Sequence, residues 1–395
     1  MTNDACNAIA GLAVDVGANV QPDQPVVIAT ELEQQQLAHA MAKASYARGA
    51  RYVDVIYFDY ALKLMRLERA KESTLSYVPP WQSERFSHMV DQKAAYIISY
   101  TPQIGLLTDI DPRRLALDTT PRLAAQMTAI NSGTVNWTYV AGATPRWATA
   151  LFPKVSRDRA IDSLWGELAA VYRLNSPDPS AEWRRRLNDL ERRAALITDL
   201  ELDRIKFIGP GTDLSVGLLK ARWVTTRDVT ATGVEYVSNL PTEELLITPD
   251  PSRAEGVVSA SMPLALDGVV IDDLRITFRS GTVIDVDAAS NSDLVRKRVS
   301  LDEGASRLGE VALVEAPNPI STRDRLFMHT LFDENAATHL ALGAGYARGV
   351  DRVDLDRINR SAIHIDFMIG RPELVVVGST PQGDERILMR DGLFV

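Results

Sequence analysis

The first hundred residues alternate between short apolar runs and segments of helical spacing, and this alternation restricts the fold more than any other property of the chain. Pro25 to Thr30 (PVVIAT) reads as a short buried strand. The following ELEQQQLAHAMAKASYARGA places Leu37, Ala40, Met41 and Ala44 at helical spacing and stops at Gly49. Tyr52 to Phe58 (YVDVIYF) is a second strand, rich in β-branched and aromatic residues. A helix from about Tyr60 to Lys71 and a third strand, Ala94 to Tyr100 (AAYIISY), continue the pattern. Strand–helix–strand order predicts a largely parallel sheet covered by helices. The first strand–helix turn reads VIATELEQQ, with no glycine-rich phosphate loop, so a dinucleotide site of the usual kind is excluded there.

Beyond Arg159 the pattern is helical to about Leu200, broken only by NSPDPS (175–180), the clearest linker in the chain. After it the character changes. Residues 204–290 read as short strands joined by turns, with Asp267-Gly268 and Ser280-Gly281 as hairpin turns. A helix from about Asn291 to Leu301, a strand in RLGEVALVE, a helix in DENAATHLAL capped by Asp333 and ended by Gly343, and a strand in AIHIDFMIG complete the reading. The expected fold class is α/β: an N-terminal α/β domain with a largely parallel sheet (1–180) and a C-terminal mixed, strand-rich α+β domain (181–395). A length of 395 residues is ample for two such cores.

Charge and cysteine content narrow the function classes. There are 43 Lys+Arg against 52 Asp+Glu, a net charge of −9, and no basic run, which argues against a nucleic-acid partner. Cys6 is the lone cysteine, so neither an internal disulfide nor a cysteine-based metal site can form. The N-terminal MTNDACNAIAGLAVDVG has two acids and no base, unlike a secretory leader. No apolar run reaches the roughly 18–20 residues of a membrane helix. A soluble, cytoplasmic protein with no membrane partner is expected.

The residues capable of chemistry cluster in the second half. In AIHIDFMIG, His364 and Asp366 are two apart, so on a strand they share a face while Ile363, Ile365 and Phe367 take the other. Alone, a His-x-Asp pair is most simply a hydrogen-bonded pair on a sheet edge, and His339 in LFDENAATHLALGAGY most simply a packed residue. Glu310 lies in an otherwise apolar strand. Glu243 and Glu244 follow Pro241, and Tyr346 follows His339 by seven residues. Together two histidines, an aspartate, glutamates and a tyrosine offer a nitrogen- and oxygen-rich shell without sulfur, which suits paired divalent ions.

Several of these segments resemble the M29 metallopeptidases, the thermophilic aminopeptidase T group: GPGTDLSVGL (209–218), NLPTEE (239–244), GEVAL (309–313), PIS (319–321), LFDENAATHLALG (331–343) and IHIDFMIG (363–370), with a looser match at WATALFP (147–153). The resemblance implies a C-terminal catalytic domain holding two divalent metal ions (Zn, Co or Mn) through Glu244, Glu310, His339, Tyr346, His364 and Asp366. The adjacent Glu243 and Glu244 are interchangeable in such a carry-over; Glu244 is taken as the ligand. The implied activity is metal-assisted removal of the N-terminal residue from a peptide substrate with a free N-terminus. Glu243 or Glu310 would carry the proton, Tyr346 would ligate or stabilise the oxyanion, and the implied assembly is a homodimer. Two rivals stand beside it. One is a mononuclear non-haem iron ring-cleaving dioxygenase using His339, His364 and Asp366, which would need neither Glu244 nor Glu310. The other is an inactive binding protein on the same fold.

Overall fold

The computed structural model describes residues 2–107 and 109–395. The chain divides into two compact units, Met1–Arg184 with Arg227–Pro241, and Arg185–Thr226 with Thr242–Val395.

The first unit carries the expected parallel sheet. Its strands are β1 (Pro25–Glu31), β2 (Tyr52–Phe58), β3 (Ala95–Ser99) and β4 (Asn136–Tyr139), in the spatial order β2-β1-β3-β4. All three pairings are parallel. The unbroken apolar run of β1 is explained by its place: after Pro25 every residue is buried, as a strand covered on both faces must be. The helix Gln35–Ala47 turns Leu37, Ala38, Met41 and Ser45 inward. Val27, Ala29, Tyr96, Ile98, Met89 and Ala129 form the core on one side of the sheet. The ribbon Arg227–Val229 with Glu235–Val237 belongs to this unit, and the Tyr139 amide donates to Ser238 O at 2.7 Å.

Among the described residues the second unit holds two larger antiparallel sheets and a two-stranded ribbon, Leu264–Leu266 with Val269–Ile271. The larger has eight strands, running from the hairpin Arg275–Arg279 and Thr282–Asp287 through Pro249–Ser259, Thr212–Leu218, Arg204–Gly209 and Val375–Ser379 to Glu385–Arg390 and Leu393–Phe394. The smaller places four strands side by side: His364–Met368, His339–Gly343, Leu308–Val314 and Glu244–Ile247. Both hairpin turns read from sequence are present. Asp267 and Gly268 have φ of 53° and 78°, and Ser280 and Gly281 have 49° and 80°, the left-handed pairs that two-residue hairpins require.

A single core joins the two sheets, and it takes alternate residues of the smaller one. Leu245 and Ile247, Val311 and Leu313, Leu340 and Leu342, Ile365 and Phe367 all pack there with Phe207, Leu214 and Val216. Strand periodicity then commits Glu244, Glu310, His339, His364 and Asp366 to the opposite face.

One sequence expectation is corrected. DENAATHLAL is not a helix. A single helical turn, Thr330–Asp333, passes into a 3-10 turn, Glu334–Ala336, and His339–Gly343 is a strand. Five apolar or small residues in a row fit a buried strand as well as a helix turn, and here two hydrogen-bonded neighbours decide. Asp333 does not cap a helix starting there; its carboxylate accepts from the amides of Phe327 (2.7 Å) and His329 (3.0 Å). Gly343 is not a helix stop either. Its φ is 99°, and a Cβ would lie 2.1 Å from Ile363 O.

Candidate metal centre

The smaller sheet of the second unit builds its polar face from three neighbouring strands and one edge. Across the sheet Asp366 pairs with Ala341, which pairs with Glu310. Beside that row, His339 pairs with Ala312, which pairs with Leu246, and Gly343 pairs with His364. The positions between the functional side chains are thus Ala341, Ala312 and Gly343, small enough to leave room above the sheet. The register shifts between Leu308 and Glu310, an irregularity of the kind that re-aims a side chain.

The result is a compact cage. His339 Nε2 is 3.4 Å from Glu244 Oε2 and 3.7 Å from Glu310 Oε1. His364 Nε2 is 3.4 Å from Glu310 Oε2 and 3.1 Å from Asp366 Oδ1. Glu310 therefore faces both histidines, one oxygen to each. Two groups have all their ligand atoms within 4.8 Å of one another: Glu244, Glu310 and His339, and Glu310, His364 and Asp366. Each ring is oriented from behind. His339 Nδ1 lies 3.2 Å from Ala337 O and His364 Nδ1 lies 2.8 Å from Ala344 O. A proton on Nδ1 donated to these carbonyls directs each Nε2 into the cage.

Glu244, Glu310, His339 and Asp366 are buried. Tyr346 is 46% exposed, with its Oη 3.4 Å from His364 Nε2 and its backbone oxygen accepting from Thr248 Oγ1 at 2.7 Å. It stands at the mouth of the cage rather than inside it.

The electrostatics describe an excess of negative charge. Burial, reinforced by Glu310 and Asp366, pushes the Glu244 carboxyl up to about 8. Burial acts on Glu310 in the same sense, but hydrogen bonds to His339 and His364 outweigh it and hold that carboxyl down at about 2. Burial alone would lower His339; its hydrogen bond to Glu310 and the charges of Glu244, Glu310 and Asp366 raise it to about 9. His364 is raised in the same way, chiefly by Asp366. Burial and the charges of Glu310 and Asp366 keep the Tyr346 phenol above its ordinary value, hence protonated. Buried carboxylates that outnumber their imidazoles need positive charge. Donors that are all nitrogen or oxygen, divided into two histidine-plus-carboxylate groups sharing one glutamate, fit divalent cations.

The sequence offers Glu243 as a proton carrier, and the structure places its carboxylate on Arg186. Adjacent residues of an extended chain face opposite sides, and Glu243 Oε2 takes Arg186 Nε at 2.7 Å while its amide donates to Asn335 Oδ1 at 2.6 Å. Glu244 is the member of the pair that faces the histidines. Sequence reasoning missed Glu334. This half-buried acid is held in its neutral form by burial and by the charges of Glu244, Asp366 and Glu310. Its signal was its place in LFDENAATHLALG, five residues before His339. His329 is buried with its ring against Phe332, centroids 5.1 Å apart, a packing position.

Comparison with known proteins adds a family-level match. A profile of the thermophilic metalloprotease (M29) family matches residues 2–394. Aminopeptidase T of Thermus aquaticus is 35% identical over 399 residues, covering 98% of each chain. Aminopeptidase 2 of Geobacillus stearothermophilus is 34% identical over 397 residues, covering 97% of this chain and 96% of the relative. Among solved structures, wild-type AmpT from Thermus thermophilus superposes with a TM-score of 0.92 at 34% identity over the whole of both chains. A 2,5-dihydroxypyridine dioxygenase from Pseudomonas putida KT2440 gives a TM-score of 0.61 at 11% identity, covering 100% of this chain and 98% of the other, a likeness of fold alone.

Proposed function

We propose, since the chain belongs to the thermophilic metalloprotease (M29) family, that it is a metal-dependent aminopeptidase acting on peptides with a free N-terminus. Two divalent cations, Zn²⁺, Co²⁺ or Mn²⁺, would be held by Glu244, Glu310 and His339 on one side and by Glu310, His364 and Asp366 on the other. Such ions supply Lewis acidity toward a peptide carbonyl and acidify a water. The observation that carries this reading is Glu310, with one oxygen toward each histidine.

The chain's own residues have separable tasks. Ala337 O and Ala344 O fix the two imidazoles, so that each Nε2 is presented as a ligand. The neutral Tyr346 hydroxyl donates a hydrogen bond to an oxygen that gains charge beside His364. Glu334, at the cage and favouring its protonated form, holds a proton and passes it to the departing amine. Glu243, bound to Arg186, instead anchors the chain just before Glu244.

The division of His339 and His364 between two groups favours this reading over a mononuclear iron site, which needs both in one triad. No helix among the described residues is long and apolar enough to cross a membrane. A cytoplasmic homodimer that binds no nucleic acid accords with the lone Cys6, the net charge of −9 and the prevalence of two-fold assemblies.

The test joins metal analysis with hydrolysis of amino-acid anilides. About two divalent ions per chain, and loss of hydrolysis in His364→Ala and Asp366→Ala variants that remain folded, are expected. One ion per chain overturns the paired site; turnover that survives complete metal removal overturns the metallo-aminopeptidase.

A further inference from the structure

On the far side of the Glu244–Ile247 strand from the cage, the second unit bears a separate, open cavity of about 780 Å³. That lies within the roughly 300–1,000 Å³ typical of small-molecule sites. Its floor is apolar, supplied by Ile197, Leu202, Leu218 and Ile247. Ile247 belongs to the core face of its strand, opposite Glu244.

The charged wall balances with one group of each sign left over. Arg253 Nη1 binds Asp203 Oδ1 at 2.8 Å, Lys220 Nζ lies 3.6 Å from Asp351, and Arg357 Nη1 binds Asp354 at 2.8 Å. Arg222 and Glu201 also line the cavity, and among the described residues neither side chain has an ionic or hydrogen-bonding partner. Both are exposed, at its rim. Trp223 lines it too. The indole is 4% exposed, and its Nε1–H is buried without an acceptor. The Trp223 amide donates to Thr198 Oγ1 at 2.9 Å, tying the Arg222–Trp223 turn to the chain end that carries Glu201.

We propose that this cavity is a second ligand site, for the zwitterionic head and apolar side chain of a free amino acid or short peptide. The carboxylate would meet Arg222, the ammonium Glu201, and the side chain the apolar floor. The choice of this ligand rests on the aminopeptidase reading, since a released amino acid or a shortened peptide has this chemistry; the site itself does not. A strap also joins the two places. Arg222 N donates to Gly349 O at 3.0 Å and Asp351 N donates to Lys220 O at 2.8 Å, so the wall includes the segment that begins three residues after Tyr346. Occupancy is therefore expected to order Gly349–Arg357.

The test is calorimetric titration of the full chain with L-leucine, metal-loaded and again in EDTA, with hydrogen exchange of residues 349–357 as a second readout. Binding that persists in EDTA, slows exchange in that segment, and weakens at least tenfold in both Arg222→Ala and Glu201→Gln is expected. L-Leucinamide and 4-methylpentanoate, each lacking one charge, should bind at least tenfold more weakly than leucine. Comparing leucine with Leu-Leu in EDTA identifies the source: tighter leucine indicates the released residue, tighter Leu-Leu the shortened peptide. Binding lost entirely with the metal, or indifferent to both substitutions, overturns the site. An inactive protein that still binds leucine here refutes the aminopeptidase reading and leaves the site standing.

Discussion

Replacing Glu31 by Gln should remove a cost of folding that appears only above the acidic range. Glu31 ends β1 and is 2% exposed. Its Oε1 accepts from the Thr101 hydroxyl and from Gln34 Nε2 at 3.1 Å, and its Oε2 accepts from Gln103 Nε2 at 2.6 Å. These donors are neutral. Burial outweighs them, with a small push from Glu33, and raises the carboxyl from 4.5 to about 7. At roughly 1.36 kcal/mol per pH unit, that gap is worth about 3 kcal/mol. The sign follows from proton binding. The folded chain holds this proton more tightly than the unfolded chain, so stability declines as pH rises from 4.5 to about 7 and stays reduced above. An amide at this position carries no such penalty. Urea unfolding followed by tryptophan fluorescence at about pH 4.5, 6 and 8 measures the difference. The advantage of Glu31→Gln over the natural chain should grow by about 3 kcal/mol across that series. A difference flat in pH would refute the electrostatic reasoning.

Three further outcomes are expected. Arg186→Met removes the guanidinium that pairs at 2.7 Å with Glu243, whose side chain is 1% exposed, and should lower stability by as much as about 3–5 kcal/mol in the same unfolding assay, while Glu315 keeps Arg193. Gly343→Ala drives a Cβ to 2.1 Å from Ile363 O at a φ of 99°. It should lower the thermal midpoint sharply and displace His364 from its partner strand, read as lost metal content. Tyr346→Phe removes one hydroxyl from a half-exposed ring; kcat should fall by about 10²–10³ with KM and metal content little changed, and an unaltered kcat would remove the oxyanion role.

Legibility in the sequence followed the range of the forces involved. The parallel sheet was readable because β1 and β2 are separated by a complete helical pattern, and the hairpins because Asp267-Gly268 and Ser280-Gly281 are local turn chemistry. The shared face of His364 and Asp366 needed only the period of two. The strand bearing His339 was misread because its residues fit either period, and hydrogen bonds to two distant strands chose between them. The choice between Glu243 and Glu244 needed Arg186, over fifty positions away along the chain. Glu334 escaped because acids in exposed turns are common, and only assembly of the sheet brings three other carboxyl groups near it.

The cage and the oily interior occupy odd and even positions of the same strands. Point substitutions can therefore retune either face separately, whereas adding or deleting one residue inside His339–Gly343 would exchange them wholesale, sending Leu340 to the polar side and His339 into the hydrocarbon. Changes of length should be tolerated in the loops of this unit and forbidden within its three central ladders. A library built by single-codon insertion would map that boundary as a sharp loss of soluble protein rather than a graded loss of rate.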